Sequence, residues 1–349
     1  MKLSKNLSIT LTIALVLPVF FTGNIKAQDD QDTMHLFTYF HNMGDEIPVV
    51  KIMTDYGRLI KKKSKEEYQP AHVSFVGRDG SEQTFDVKVR ARGNVRKQVC
   101  HIPPVKINFK KGELRDAGFT GMDDIKMVLQ CRSGDGNIKY MLRERLIYDL
   151  YKVIDPNGVQ AQLIDFEFWE DDELKEELRG FFVEDEDHMQ SRLEAKILES
   201  GNIRSSSLQR DHYLKMSFFQ YMISNTDWAI PNKHNVEIVK LHEYPRLVAI
   251  PYDFDYSGFV GTSYSVPAPS LPIENVQQRY YMGFKVNSDE ALQTAELFKE
   301  YKDKFIAVCE SSTYIDDDIR KDAINHIEKF YKVLESDKKI KRAFVTMNR

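Results

Sequence analysis

The sequence predicts an α+β protein in two lobes, strand-rich in its N-terminal half and helix-rich in its C-terminal half, with a cleft between them. Three observations predict it. Alternating apolar runs punctuated by turn residues dominate before residue 135. Helical spacing dominates in the second half, and the join falls near Val183 to Asp187. The 349 residues are 42% hydrophobic and 29% charged, a globular balance that excludes a mostly disordered chain.

The elements follow in order. Lys2 and Lys5, the apolar run Leu7 to Phe21 and the segment Asn24-Ile25-Lys26-Ala27 have the order of a secretory signal peptide cut after Ala27. The run is about 15 residues, short of the ~20 that span a bilayer, and no cysteine follows it. The expected organisation is therefore a signal peptide over 1–27, a strand-rich first lobe with one long helix over 28–184, and a helical second lobe over 185–349. Pro48 to Thr54 reads as a strand, and Tyr56 to Tyr68, with Lys61-Lys62-Lys63, as a solvated helix face. Ala71 to Val76 and Thr84 to Arg90 alternate around an Asp-Gly turn and read as a hairpin. Val105 to Phe109 and Ile125 to Leu129 are further strands.

Tyr140 to Tyr151 has helical spacing and stops at the turn cluster Asp155-Pro156-Asn157-Gly158. Ala161 to Trp169 and Gly180 to Val183 read as a strand pair joined by an acidic loop. Asp187 to Leu198 and Ser205 to Ser224 read as helices, the second opened by serines suited to N-capping. Val236 to Val239 and Leu247 to Ile250 are short strands, and residues 288–337 form two helices broken near Ser311 to Asp318. That break fits a helix N-terminus better than a calcium loop. No later stretch is long and apolar enough to cross a membrane, so no integral membrane segment is expected after cleavage.

Charge and cysteines narrow the classes. Losing Lys2, Lys5 and Lys26 from 49 basic residues against 53 acidic ones takes the net charge from −4 to −7, which argues against a nucleic-acid binder. An exported chain meets an oxidising compartment. A Cys100–Cys131 disulfide is expected, leaving Cys309 odd, with three buried thiols as the alternative.

The densest chemistry lies in residues 225–258. Asn225-Thr226-Asp227-Trp228-Ala229-Ile230-Pro231-Asn232-Lys233-His234-Asn235 precedes one strand, and Pro251-Tyr252-Asp253-Phe254-Asp255-Tyr256-Ser257-Gly258 follows the next. Carboxylates with an amide oxygen make a hard-cation site for Mg²⁺ or Mn²⁺, and a spare carboxylate can take a proton from a hydroxyl. A catalytic Asp, then a metal-binding Asn, a strand and a second metal-binding Asp is the layout of phosphoryl transfer. Asp227 and Asn232 have the spacing of that layout, whereas Asn235 abuts the strand and is the favoured ligand. Capping and turn residues around a hairpin are the bland alternative.

The segment NTDWAIPNKHN…RLVAIPYDFDYSG resembles the catalytic region of the CotH spore-coat kinase family and, more distantly, the HipA-type kinases. RARGNVRK…PPVKINFK resembles the first-lobe strands of CotH, YMLRERLIYDLYKVI the helix that follows, and GFFVEDED the strand entering the inter-lobe hinge. The blocks are collinear over roughly residues 70–285, and a bacterial group carrying NTDW…HN and PYDFDYSG is more similar still.

The resemblance implies a two-lobed protein-kinase-like fold and transfer of phosphoryl from Mg-ATP to a protein or small-molecule acceptor. The protein would work in the periplasm or outside the cell. A catalytically inactive envelope scaffold and AMP transfer in the same pocket are the alternatives. By resemblance, Asp227 is the catalytic base or the acid that positions the hydroxyl, Asn235 or Asn232 with Asp253 holds the metal, and Asp255 is a second ligand or orienter. Lys106 reaches the ATP phosphates and pairs with Glu144, Lys126 being the rival lysine. Arg92, Gly93 and Asn94 line the nucleotide mouth, and Glu184 marks the hinge near the adenine. Against the family pattern, Asn225-Thr226 stands where His-Arg precedes the Asp of typical kinases, and Tyr252 stands where CotH-like chains usually carry Trp.

Overall fold

The computed structural model describes residues 34–345 apart from 45, 133 and 200, so the expected signal peptide lies outside the described residues. Strands β1 (Val49–Thr54), β2 (Gln69–Val76), β3 (Glu82–Ala91), β4 (Val105–Phe109) and β5 (Asp124–Leu129) pair antiparallel in succession. The hairpin of β6 (Ala161–Glu170) and β7 (Glu173–Val183) completes the sheet. β7 pairs with β5, and β6 returns parallel to β1, closing a barrel in the order β1-β2-β3-β4-β5-β7-β6. Closure leaves the sheet without an open edge.

Period-two alternation decides what fills the barrel. Val50 and Ile52, Val73 and Phe75, Phe85, Val87 and Val89, and Val105, Ile107 and Phe109 are all buried in one apolar cluster. The strands β5 to β7 are apolar on both faces. Leu129, Ile164, Phe166 and Phe182 point into that cluster, while Val128, Leu163, Phe181 and Val183 join a second one.

Four short helices decorate the barrel: α1 (Leu36–His41), α2 (Tyr56–Lys62), α3 (Val95–Val99) and α4 (Lys111–Asp116). The long helix α5 (Asp135–Lys152) buries Met141, Leu142, Leu146, Ile147 and Leu150 in the second cluster. There it packs with α7 (Arg210–Met222), the hairpin β9 (Val236–Lys240)–β10 (Val248–Pro251), α8 (Ser288–Ser311), α9 (Asp317–Tyr331) and α10 (Asp337–Phe344). Asp316 caps α9, accepting from the backbone N–H of Ile319 at 2.7 Å, so the acidic run at 316–318 is a helix start.

Four local expectations differ from the structure. Helix α2 stops at Lys62, where Lys63 turns left-handed, and does not run on to Tyr68. The acidic loop between β6 and β7 is a two-residue turn, Asp171-Asp172, both with positive φ, as a tight hairpin needs. Glu173 and Glu177 are exposed on β7 and lie opposite Glu170 and Glu167 of β6, where water screens the like charges. The helix expected over Asp187 to Leu198 ends early: α6 (Glu186–Arg192) is followed by β8 (Lys196–Ile197), whose Ile197 is buried beside β9. Ser205–Ser207 forms one 3₁₀ turn, and α7 starts only at Arg210.

Cys100 and Cys131 form a disulfide, and Cys309 is a buried free thiol. No helix among the described residues is long and apolar enough to cross a membrane.

Candidate functional site

The site is assembled where α7 hands over to the β9–β10 hairpin. Ser224 takes a left-handed backbone and turns the chain at the end of α7. Asn225 then locks the turn: its amide donates to Gln220 Oε1 at 3.0 Å, and its Oδ1 accepts from the Asp227 N–H at 2.9 Å. Trp228 is buried beneath and donates to the Asn225 carbonyl at 3.2 Å. Ala229 and His234 exchange two backbone bonds, which bring His234 and Asn235 back beside Asp227. His234 Nε2 lies 2.8 Å from Asp227 Oδ1, and Asn235 Nδ2 donates to Asp227 Oδ2 at 3.0 Å and to its carbonyl at 2.8 Å. Tyr252 N–H donates to the Asn235 carbonyl at 3.1 Å, which sets Asp253, itself left-handed at φ 58°, next to that group.

A cavity of about 290 Å³ opens at this point. Asp227, Asn235, Asp253 and Asp255 line it, together with Arg92, Gly93 and Asn94 from the loop after β3 and Arg96 from α3. Seven residues singled out from sequence, Arg92, Gly93, Asn94, Asp227, Asn235, Asp253 and Asp255, thus share one cavity. Asn232 is exposed and does not line it, so the structure separates the two asparagines that the sequence left open.

The expected Lys106–Glu144 pair is not formed. Lys106 on β4 sits in register with Lys126 on β5, and its Nζ is 2.6 Å from Asp124 Oδ2. Lys126 pairs with Glu186 and, at 3.2 Å, with Asp185. Glu184 is spent on Arg192 and on the N–H of Gln160. Strand alternation puts Lys106 on the face opposite Val105 and Ile107, beside the acids of neighbouring elements, while Glu144 on α5 faces α3.

The partner of Glu144 is Arg96. This guanidinium is 11% exposed and bonds Glu144 through Nη2, while its Nε donates to Asp255 Oδ2 at 2.9 Å and to the Tyr264 hydroxyl at 2.9 Å. Tyr264 in turn donates to Asp255 Oδ2 at 2.8 Å. Burial opposes the charge on Arg96, but Glu144 and Asp255 hold it in place and raise its pKa. Burial pushes the Glu144 carboxyl up, against the pull of Arg96. Asp253 is pushed up to about 6 by burial and by Asp255 beside it, with Arg96 and Arg92 opposing. Sequence reasoning missed Arg96, Tyr264, His234 and Asn225 as working residues. Arg96 lay inside the GNVRK segment, and nothing local marks it as buried.

The donor set fits a hard cation in part. The Asp253 N–H donates to the Tyr148 hydroxyl at 3.3 Å, but its carboxylate has no hydrogen bond or ion pair among the described residues, and Asn235 uses only its amide nitrogen, which leaves Oδ1 open. Asp255 has committed Oδ2 to Arg96 and Tyr264. Among the described residues no cluster of three or more His, Cys, Asp and Glu gathers closely enough for an ion. A cation here would rest on Asp253 and the Asn235 amide oxygen and would complete its shell with water or ligand oxygens, as Mg²⁺ commonly does.

No protein-family model and no curated protein matches the chain. Among solved structures it is similar to the Helicobacter pylori proinflammatory kinase CtkA, at 7% identity and a TM-score of 0.39, over 68% of this chain and 94% of that one. A likeness of that size decides neither fold nor function.

Proposed function

We propose that the chain is an exported, kinase-like phosphotransferase of CotH type that uses Mg²⁺ or Mn²⁺ and moves a phosphoryl group from ATP to a hydroxyl of a protein or small molecule. One observation carries this reading: a single cavity gathers Asp227, Asn235 and Asp253 from the β9–β10 side and Arg92 from the barrel side. A bound divalent cation would neutralise charge on the phosphate oxygens. Asp253 and Asn235 would hold it. Arg92, which makes no ion pair among the described residues, would take a phosphate. Asp227 would accept the proton of the acceptor hydroxyl. His234 and Asn235 fix its orientation, and each of its oxygens keeps a second lone pair.

One observation favours a second reading, a kinase-like binding protein without transfer. The neighbouring cavity, lined by Val159, Val183, Met189 and Tyr252, holds only about 30 Å³, and Lys126 and Glu186 pair with each other in its wall. A nucleobase would need that pair to move. Thermal shift with millimolar Mg-ATP or Mn-ATP separates the readings. The enzyme reading expects stabilisation of the wild type that Asp253→Ala loses and Asp227→Ala keeps, with transfer lost in Asp227→Ala by about 10²–10⁴-fold. No shift in the wild type would leave only the second reading.

A further inference from the structure

Helix α3 carries Arg96 into the site, yet of its five residues only the Arg96 side chain is largely covered. A helix that short has no stability of its own, and this one has no apolar face to dock it. Its moorings are few. Arg96 binds Glu144, Asp255 and Tyr264. Cys100, the residue that ends the helix, is buried and disulfide-bonded to Cys131 just past β5. The Cys100 N–H donates to the Arg96 carbonyl at 2.9 Å, so the bridge is one hydrogen bond away from the arginine's own backbone. The His101 N–H donates to the Cys131 carbonyl at 3.0 Å, and Lys63 Nζ donates to the Cys100 carbonyl at 2.6 Å. Cys131, Arg96 and Tyr264 also line one small cavity.

Arg96 is moreover the cation that joins three separate pieces of the site. Glu144 belongs to α5, Asp255 to the segment after β10, and Tyr264 to the loop beyond it. That loop folds back onto Asp255: Thr262 and Ser265 each donate a hydroxyl to its carbonyl at 3.2 Å.

We propose that Arg96 is the positioning residue of this site, taking from α3 the place expected for a strand lysine, and that the Cys100–Cys131 disulfide holds it there. The inference rests on the reading of the cavity as a phosphotransfer site for its purpose, but the coupling itself is a property of the unliganded protein. Opening the disulfide releases α3, Arg96 leaves two buried carboxylates unpaired, and the segment 253–265 loosens with it. Reduction needs a dithiol such as dithiothreitol, which gives the two cysteine thiols and is itself oxidised to a cyclic disulfide.

The test is native-state hydrogen exchange on the mature protein without ligand. It compares the oxidised wild type with the dithiothreitol-reduced wild type, a Cys100→Ser/Cys131→Ser variant, and Arg96→Met with its disulfide intact. Arg96→Lys serves if Arg96→Met does not fold. Exchange is expected to rise at least tenfold over 92–101 in the reduced and serine proteins. It should rise by a like factor over 253–265 in those two and in the Arg96 variant. Faster exchange confined to the slowest amides of the barrel core would mean a merely global loss of stability and would overturn the proposal. So would protection over 253–265 that ignores Arg96. Mn²⁺-ATP binding, measured alongside, is expected to weaken at least tenfold on reduction. Absence of binding in the oxidised wild type would count against the phosphotransfer reading, whereas the exchange result alone decides the clamp.

Discussion

His188 gives the structure an acid-sensitive point whose size can be worked out. It lies on α6, 2% exposed, packed against His35 and Phe37 with ring centroids at 5.4 and 5.8 Å. Neither ring nitrogen has a hydrogen-bond partner. Burial, helped by His35 and Lys126 and opposed by Asp124, pushes its pKa down to about 4. The unfolded value is about 6.5. A histidine with a depressed folded pKa contributes its stability fully above pH 6.5 and loses it as the pH falls toward 4. At pH 5 the unfolded chain takes up the proton and the folded one resists, over about 1.5 pH units. That costs about 2 kcal/mol.

His188→Leu removes this proton site and a ring donor without a partner, an orphan that itself costs about 1–3 kcal/mol. The variant is expected to equal or exceed the wild type in stability at pH 7. Between pH 7 and pH 5 it should lose about 2 kcal/mol less. His41, also pushed down to about 4, and the carboxylates are common to both proteins and cancel in the difference. Urea unfolding of both at the two pH values, with unchanged m-values, is the assay. Parallel pH profiles would refute the reasoning.

Two further outcomes follow from the covalent and steric frame. Thiol counting under denaturing, non-reducing conditions should find one reactive thiol, Cys309, and reduction should cost about 4 kcal/mol by the chain-entropy scale for the closed loop. Three thiols would reject the bridge. Gly258 lies where an added Cβ would come 2.1 Å from the Val276 carbonyl oxygen and 2.8 Å from Ser224 Cβ. Gly258→Ala should therefore cost about 1–3 kcal/mol in chemical unfolding, and a variant as stable as the wild type would show that the Asp253–Gly258 segment is less tightly seated than it looks.

What was legible in the sequence was local. Val105–Phe109 has the expected bounds, and β5 and β9 differ from expectation by a residue, because alternation between Gly, Pro and Asp punctuation is a direct image of burial. Asp253 and Asp255 were legible because they alternate with aromatic residues at a strand end, where burying acids is costly without a cation or donors. Barrel closure was not, since nothing in Val49–Thr54 announces a parallel partner more than 100 residues later. Nor was the partner of Glu144. Alternation says that Lys106 lies on the face opposite Ile107, but which acid it meets depends on register with β5. Arg96 sits on a helix with no apolar period, so its burial is created entirely by what closes over it.

The charges of the site point the same way as its geometry. Arg96 is held between Glu144 and Asp255, so its one positive charge is already divided between two acids. Asp253, pushed up by burial, is then one of the surplus carboxylates, with Arg92 in the same cavity a cation that makes no ion pair among the described residues. A purely structural hairpin would have no use for such a group: an Asn there would keep the turn and remove the repulsion from Asp255. Asp227, Asp253, Asp255 and Glu144 stand against only Arg92 and Arg96. On the proposed reading, a divalent cation bound on Asp253 and Asn235 would offset that acidic excess. The Arg96 pairing also explains why Asp255, already bound to Arg96, is the poorer candidate for the metal's first carboxylate.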